Sequence, residues 1–175
     1  MNAPRYQEKF RSAQVLATIS LLRAFLPWPQ FLIKHPSRLS DDALLHVTFE
    51  KTCSGRGQVY QAAVAADEPT RRKGLSNRKN PLAPDEGMIF VFEAPQRASF
   101  WMKETLIPLQ LVFVRPDGGV LETREMPVEK NPQNPKNYYT ATQPVVVAIE
   151  LAPKALRNTT GLQLCIQIQV HQVQD

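Results

Sequence analysis

From residue 44 onward the apolar positions come in short runs separated by prolines, glycines and asparagines. That spacing predicts strands over residues 45–49, 59–65, 88–92, 98–102, 109–114, 120–124, 145–151 and 162–170. The run Met88-Ile89-Phe90-Val91-Phe92 is apolar throughout, as in a strand buried on both faces. Residues 162–170 alternate instead: Leu162, Leu164, Ile166, Ile168 and Val170 share one face, and Gln163, Cys165, Gln167 and Gln169 share the other. Asp117-Gly118-Gly119 is a hairpin signal, and Cys53-Ser54-Gly55-Arg56-Gly57 reads as a turn. One short helix is expected through Lys73, with Asp67 as its N-cap and Gly74 as its stop. Residues 80–86 and 129–136 read as loops. The fold class is therefore mostly β, a small barrel or sandwich of about seven to eight short strands with one short helix and an N-terminal helical extension.

Residues 1–43 follow a different pattern, and the chain divides into this extension and a β domain over 44–175. Val15, Leu16, Ile19, Leu22 and Leu26 recur at helical spacing, and Pro27 and Pro29 end the stripe. An apolar stripe outside a core must be covered, so these five residues are the candidate interface with the domain itself, another subunit or a membrane surface. Arg5, Lys9 and Arg11 precede an apolar stretch as in a secretory signal. However, Arg23 interrupts the stretch, no A-x-A site follows, and Trp28 and Phe31 stand where small residues belong. No cleaved signal is expected.

Fifteen prolines punctuate the chain, mostly where short elements would meet. The net charge of +5 is uneven: residues 1–80 hold 13 Lys/Arg against 6 Asp/Glu, and residues 81–175 hold 8 against 10. No basic run interleaves with aromatics, so nucleic acid is not the expected partner. The histidines His35, His46 and His171 share no ligand spacing, so neither a metal site nor a cofactor is expected. Cys53 and Cys165 form no C-x-x-C; unpaired thiols are the simpler expectation, and a disulfide stays open.

Several ordered motifs then stand out: Arg71-Arg72-Lys73-Gly74-Leu75, Gly87-Met88-Ile89-Phe90-Val91-Phe92, Phe100-Trp101-Met102-Lys103, Ile107-Pro108-Leu109, Asp117-Gly118 and Ile149-Glu150-Leu151. Across roughly residues 58–170 the chain resembles the DUF192 (UPF0127) family. The resemblance implies a compact, mostly-β domain of a family often exported or membrane-anchored, with no assigned biochemical function. Two departures bear on chemistry. The family's Gly-Leu-Met-Phe-Arg is Gly74-Leu75-Ser76-Asn77-Arg78 here, and its Leu-Asp after Ile-Pro is Leu109-Gln110, which lacks the carboxylate.

No G-x-S-x-G, P-loop, dinucleotide fingerprint or H-E-x-x-H is present, so no catalytic residue is assigned. The first expectation is a non-catalytic structural or assembly domain, viral or cell-envelope, whose extension and sheet face contact other protein subunits in a homo-oligomer or hetero-assembly. The second is a small-ligand or glycan-binding domain. If Phe100 and Met102 face the core, Trp101 and Lys103 face away from it, and with Arg78 nearby they make a cationic aromatic surface. The third is a hydrolase using Glu104 and Glu150 as paired carboxylates.

Overall fold

The computed structural model describes Leu26–Pro27 and residues 44–167. The strands are β1 (Leu26–Pro27), β2 (Leu44–Glu50), β3 (Tyr60–Ala65), β4 (Glu86–Gln96), β5 (Ser99–Trp101), β6 (Leu109–Val114), β7 (Val120–Met126), β8 (Tyr138–Thr140), β9 (Val145–Leu151) and β10 (Gln163–Gln167). One helix, α1 (Glu68–Lys73), connects β3 to β4. The stripe residues Val15, Leu16, Ile19 and Leu22 lie outside the described residues. Leu26 does not extend a helix: it pairs with Ile166 as part of β1, and Pro27 pairs with Cys165.

The main sheet runs β1-β10-β2-β3-β4-β9-β6-β7, and β5 pairs separately with β8. Every neighbouring pair is antiparallel except β3 and β4, which are parallel and so require the α1 crossover. Seven strands, β10 through β7, curl into a half-barrel. The curl brings the tip of the β6–β7 hairpin back to β10, where Val120 N–H donates to the Leu162 carbonyl and Leu164 N–H to the Gly118 carbonyl, both at 2.9 Å.

Alternation sorts the core into two layers. Val47, Val64, Ile89, Val91, Val112, Val114, Ile149 and Leu164 fill one face of the curled sheet. Phe90, Phe92, Leu109, Leu111, Phe113 and Ala148 form the other face, covered by Met102, Ile107 and Ala141 from the segments around β5 and β8. This is why Met88–Phe92 is apolar without a break: both faces of β4 are buried. Complete burial of each such side chain contributes about 1.5–3 kcal/mol.

Gly87 is required by closeness rather than by flexibility. It pairs with Leu151, and a Cβ there would sit 2.8 Å from Leu151 Cδ2 and 2.9 Å from the Glu150 carbonyl oxygen. Cys53 and Cys165 form a disulfide that ties the loop after β2 to β10, correcting the expectation of free thiols. Antiparallel pairing of β2 with β10 sets Thr48 opposite Cys165, which brings the chain beyond β2 alongside that strand. The same loop is held by Glu50, whose carboxylate accepts from Thr48 Oγ1 at 2.8 Å and from Ser54 N–H at 3.0 Å. Burial opposes the charge on Glu50, but hydrogen bonds from Ser54, Thr48 and Gly57 outweigh it and hold its pKa at about 2.

Gln110 explains one departure from the family pattern. It is buried, its Nε2 donates to the Leu156 carbonyl at 2.9 Å, and its Oε1 accepts from Leu156 N–H at 2.8 Å. An amide supplies both a donor and an acceptor, which an ionised aspartate cannot. The position clasps the loop after β9.

Candidate functional site

The pocket forms where α1 crosses the sheet. The helix starts on a capping box: Asp67 Oδ1 accepts from Thr70 N–H at 2.7 Å, and the Thr70 hydroxyl receives Asp67 N–H at 3.3 Å. Gly74, at φ 47°, stops it. In its last turn Arg71 donates to the carbonyls of Ala66 and Val91, the latter at 3.0 Å, and lies 6.0 Å from the Phe92 ring centroid. Those contacts pin α1 to β4.

The turn after the helix is latched to the loop after β5. Ser76 Oγ donates to the Lys103 carbonyl at 3.2 Å, and Asn77 N–H donates to the Glu104 carbonyl at 2.8 Å. Both Asn77 (φ 62°) and Glu104 (φ 54°) adopt the left-handed conformation, which asparagine tolerates better than most residues. The second departure from the family pattern, Ser76-Asn77, is therefore used here to hold two loops together.

Between these elements lies a cavity of about 400 Å³. Helix α1 and its turn contribute Glu68, Arg71, Arg72, Lys73, Leu75 and Ser76; β4 contributes Phe90 and Phe92; the region of β5 contributes Ser99, Phe100, Trp101, Lys103 and Thr105. Phe100 turns inward and meets Phe90 and Phe113 edge to face, at 5.0 and 5.9 Å between centroids. Trp101 turns the other way and stays 41% exposed, with Lys103 Nζ 5.9 Å from its ring centroid and Tyr138 of β8 at 5.9 Å.

Glu150 of β9 also lines the cavity. Its backbone lies between β4 and β6, paired with Met88 and Leu111. The residue is 5% exposed, and its Oε2 is buried with no hydrogen-bond partner. Burial pushes its pKa up to about 8, so at neutral pH the carboxyl is mostly protonated and is a hydrogen-bond donor as well as an acceptor.

Trp101 and Lys103 thus come together as the strand alternation implied, but Arg78 does not join them. Its guanidinium grips Glu86 with two bonds of 2.6 Å, and its Nε donates to the Asn80 carbonyl at 2.9 Å. The hydrogen bond from Arg78 holds the Glu86 carboxyl below its ordinary range. The bidentate pairing draws the arginine to the start of β4 rather than to Trp101. Glu104 does not line the cavity, so the structure does not pair it there with Glu150. The other carboxylate that does, Glu68, is exposed and ion-paired with Arg72 at 3.1 Å. Sequence alone missed Arg71, Lys73, Phe92 and Ser99 as pocket residues. One signal was available: Glu150 is the lone charge in Val145–Leu151, a strand otherwise apolar throughout.

The family model for DUF192, described as "Uncharacterized ACR", matches residues 50–164. The chain belongs to the DUF192 family. No curated protein matches it. This DUF192 domain is similar to two solved structures. A protein from Sinorhizobium meliloti 1021, provisionally described as a transcription regulator, is 29% identical, with a TM-score of 0.60 over 72% of this chain and 95% of that one. A protein of unknown function from Novosphingobium aromaticivorans DSM 12444 is 25% identical, with a TM-score of 0.59 over 73% of this chain and 88% of that one.

Proposed function

We propose that this DUF192 domain is a small-ligand-binding domain whose pocket, floored by Glu150 and bordered by Trp101, takes one ring-sized polar organic molecule. The observation that carries this is the unpartnered Glu150 carboxyl facing a preformed cavity. A buried polar group without a partner costs about 1–3 kcal/mol, and a bound molecule that hydrogen-bonds to it recovers that cost. The volume supports a single small molecule, since such sites run from about 300 to 1,000 Å³. The exposed Trp101 ring offers a stacking face, and the hydroxyls of Ser76, Ser99 and Thr105, already bonded to the Lys103 carbonyl or to Thr140, keep lone pairs that can accept from a ligand. An assembly role through Val15, Leu16, Ile19 and Leu22 rests on residues outside the described part of the chain.

The test is a titration of the Trp28→Phe protein, in which Trp101 is the sole tryptophan, with small sugars, sugar acids and organic anions. A saturable change in emission, weakened about tenfold or more in Glu150→Leu, which removes both donor and acceptor, is expected. Failure of every molecule to give a saturable response, or a response indifferent to Glu150→Leu, overturns the proposal.

A further inference from the structure

The charges around the cavity are unequal. Four cations line it, Arg71, Arg72, Lys73 and Lys103, against the carboxylate of Glu68 and the largely protonated Glu150. They do not play the same part. Arg71 is consumed by the Ala66 and Val91 carbonyls and by the Phe92 face. Arg72 is paired with Glu68. Among the described residues, Lys73 and Lys103 enter no ion pair. The Lys103 ammonium has only its loose contact with the Trp101 ring, 5.9 Å from the centroid, and an exposed cation–π contact of that kind is weak.

A concave wall with a surplus of positive charge focuses its field on whatever enters. The same cavity is lined by the Trp101 indole, by the Ser76, Ser99 and Thr105 hydroxyls, whose lone pairs can accept from a ligand, and by a buried carboxyl that can donate to a ligand oxygen. The lysines select a negative charge, the indole a flat or puckered ring, and the hydroxyls with the carboxyl ring hydroxyls.

Building on the pocket assignment above, we propose that the ligand is a sugar acid, with its carboxylate read by Lys73 and Lys103, its ring against Trp101, and a hydroxyl held by Glu150. Glu68 does not offset this selection, because its carboxylate is already shared between Arg71 and Arg72.

The experiment compares glucuronate and galacturonate with glucose and galactose by calorimetry on the full chain, then repeats the comparison with Lys73→Gln/Lys103→Gln. Benzoate serves as an anion with a ring and no hydroxyls. The expected result is at least tenfold tighter binding of the sugar acids than of the neutral sugars and of benzoate. The double variant is expected to bring the acids to the neutral sugars' affinity without changing the latter. Equal binding of acids and neutral sugars, or loss of both together in the double variant, overturns the charge assignment while leaving the pocket intact. Binding of benzoate in preference to the sugar acids overturns the sugar assignment. Binding of none of the five overturns this proposal and, if no other molecule moves Trp101 emission, the pocket assignment with it.

Discussion

Replacing Glu150 with glutamine is expected to abolish a pH dependence of stability that the wild-type protein carries between pH 5 and 7.5. The cause is the cost of a buried charge. Burial raises the folded-state pKa from 4.5 to about 8. Over this interval the unfolded chain has released the proton and the folded protein still holds it, so stability falls as pH rises. At 1.36 kcal/mol per pH unit, with little further loss from ionisation of the folded form, the wild type loses about 3 kcal/mol between pH 5 and 7.5. Against a typical total of about 5–15 kcal/mol, that is easily measured. Glutamine has nearly the same shape and no charge. The variant is therefore expected to match the wild type near pH 5 and to exceed it by about 3 kcal/mol at pH 7.5. Other carboxyls do not confuse the comparison. Glu50, Glu86 and Asp117 all have lowered pKa values, so their stabilisation is lost only as pH falls through the acidic range. Groups common to both proteins cancel in the difference. The assay is urea denaturation followed by far-ultraviolet circular dichroism, at half-unit steps of pH. Parallel stability profiles for the two proteins would show that Glu150 is ionised when folded, and would refute both the desolvation argument and the picture of a protonated donor in the pocket.

Gly87→Ala is expected to destabilise the domain by about 1–3 kcal/mol in the same assay, because the new methyl group meets Leu151 and the Glu150 carbonyl rather than open space. Removing the disulfide with Cys53→Ala/Cys165→Ala is expected to cost about 2–4 kcal/mol, since the bridge closes a separation of 112 residues, and a reductant is expected to lower the wild type's midpoint but not the variant's. Asp67→Ala, which deletes the capping box of α1, is expected to cost about 1 kcal/mol by thermal denaturation. Arg78→Ala is expected to leave the Trp101 ligand response unchanged, because its partners are Glu86 and Asn80; a loss of binding would show that the guanidinium acts on the pocket after all.

Local pattern made most of the secondary structure legible. Asp67 and Gly74 bracket α1 because capping is chemistry within one helical turn. The alternation of Leu164 with Cys165 identifies β10, and Asp117-Gly118-Gly119 makes the β6–β7 turn with Gly118 at φ 87°. β8 escaped notice because Tyr138–Thr140 is only three residues and pairs with an equally short β5. Leu26 was misassigned for a related reason: helical spacing in a sequence does not register that a neighbouring strand can capture two residues by backbone pairing.

The site divides differently. By itself the sequence determined that Trp101 and Lys103 share a face, that Phe100 and Met102 take the opposite one, and that Glu150 sits in an apolar strand. Alternation through β5 implies the first two, although Met102 and Lys103 lie just past that strand, and the third is a matter of composition. Only the tertiary structure decided that α1 is pinned to β4 through Arg71, that Arg78 turns to Glu86, that Cys53 meets Cys165, and that Glu150 lines a cavity with Oε2 unpartnered. Those outcomes depend on distances between elements far apart in the chain, set by the curl of the sheet and by which polar groups reach one another first. Residue pattern encodes the faces of each strand; the packing of one strand's face against another element determines what those faces can bind.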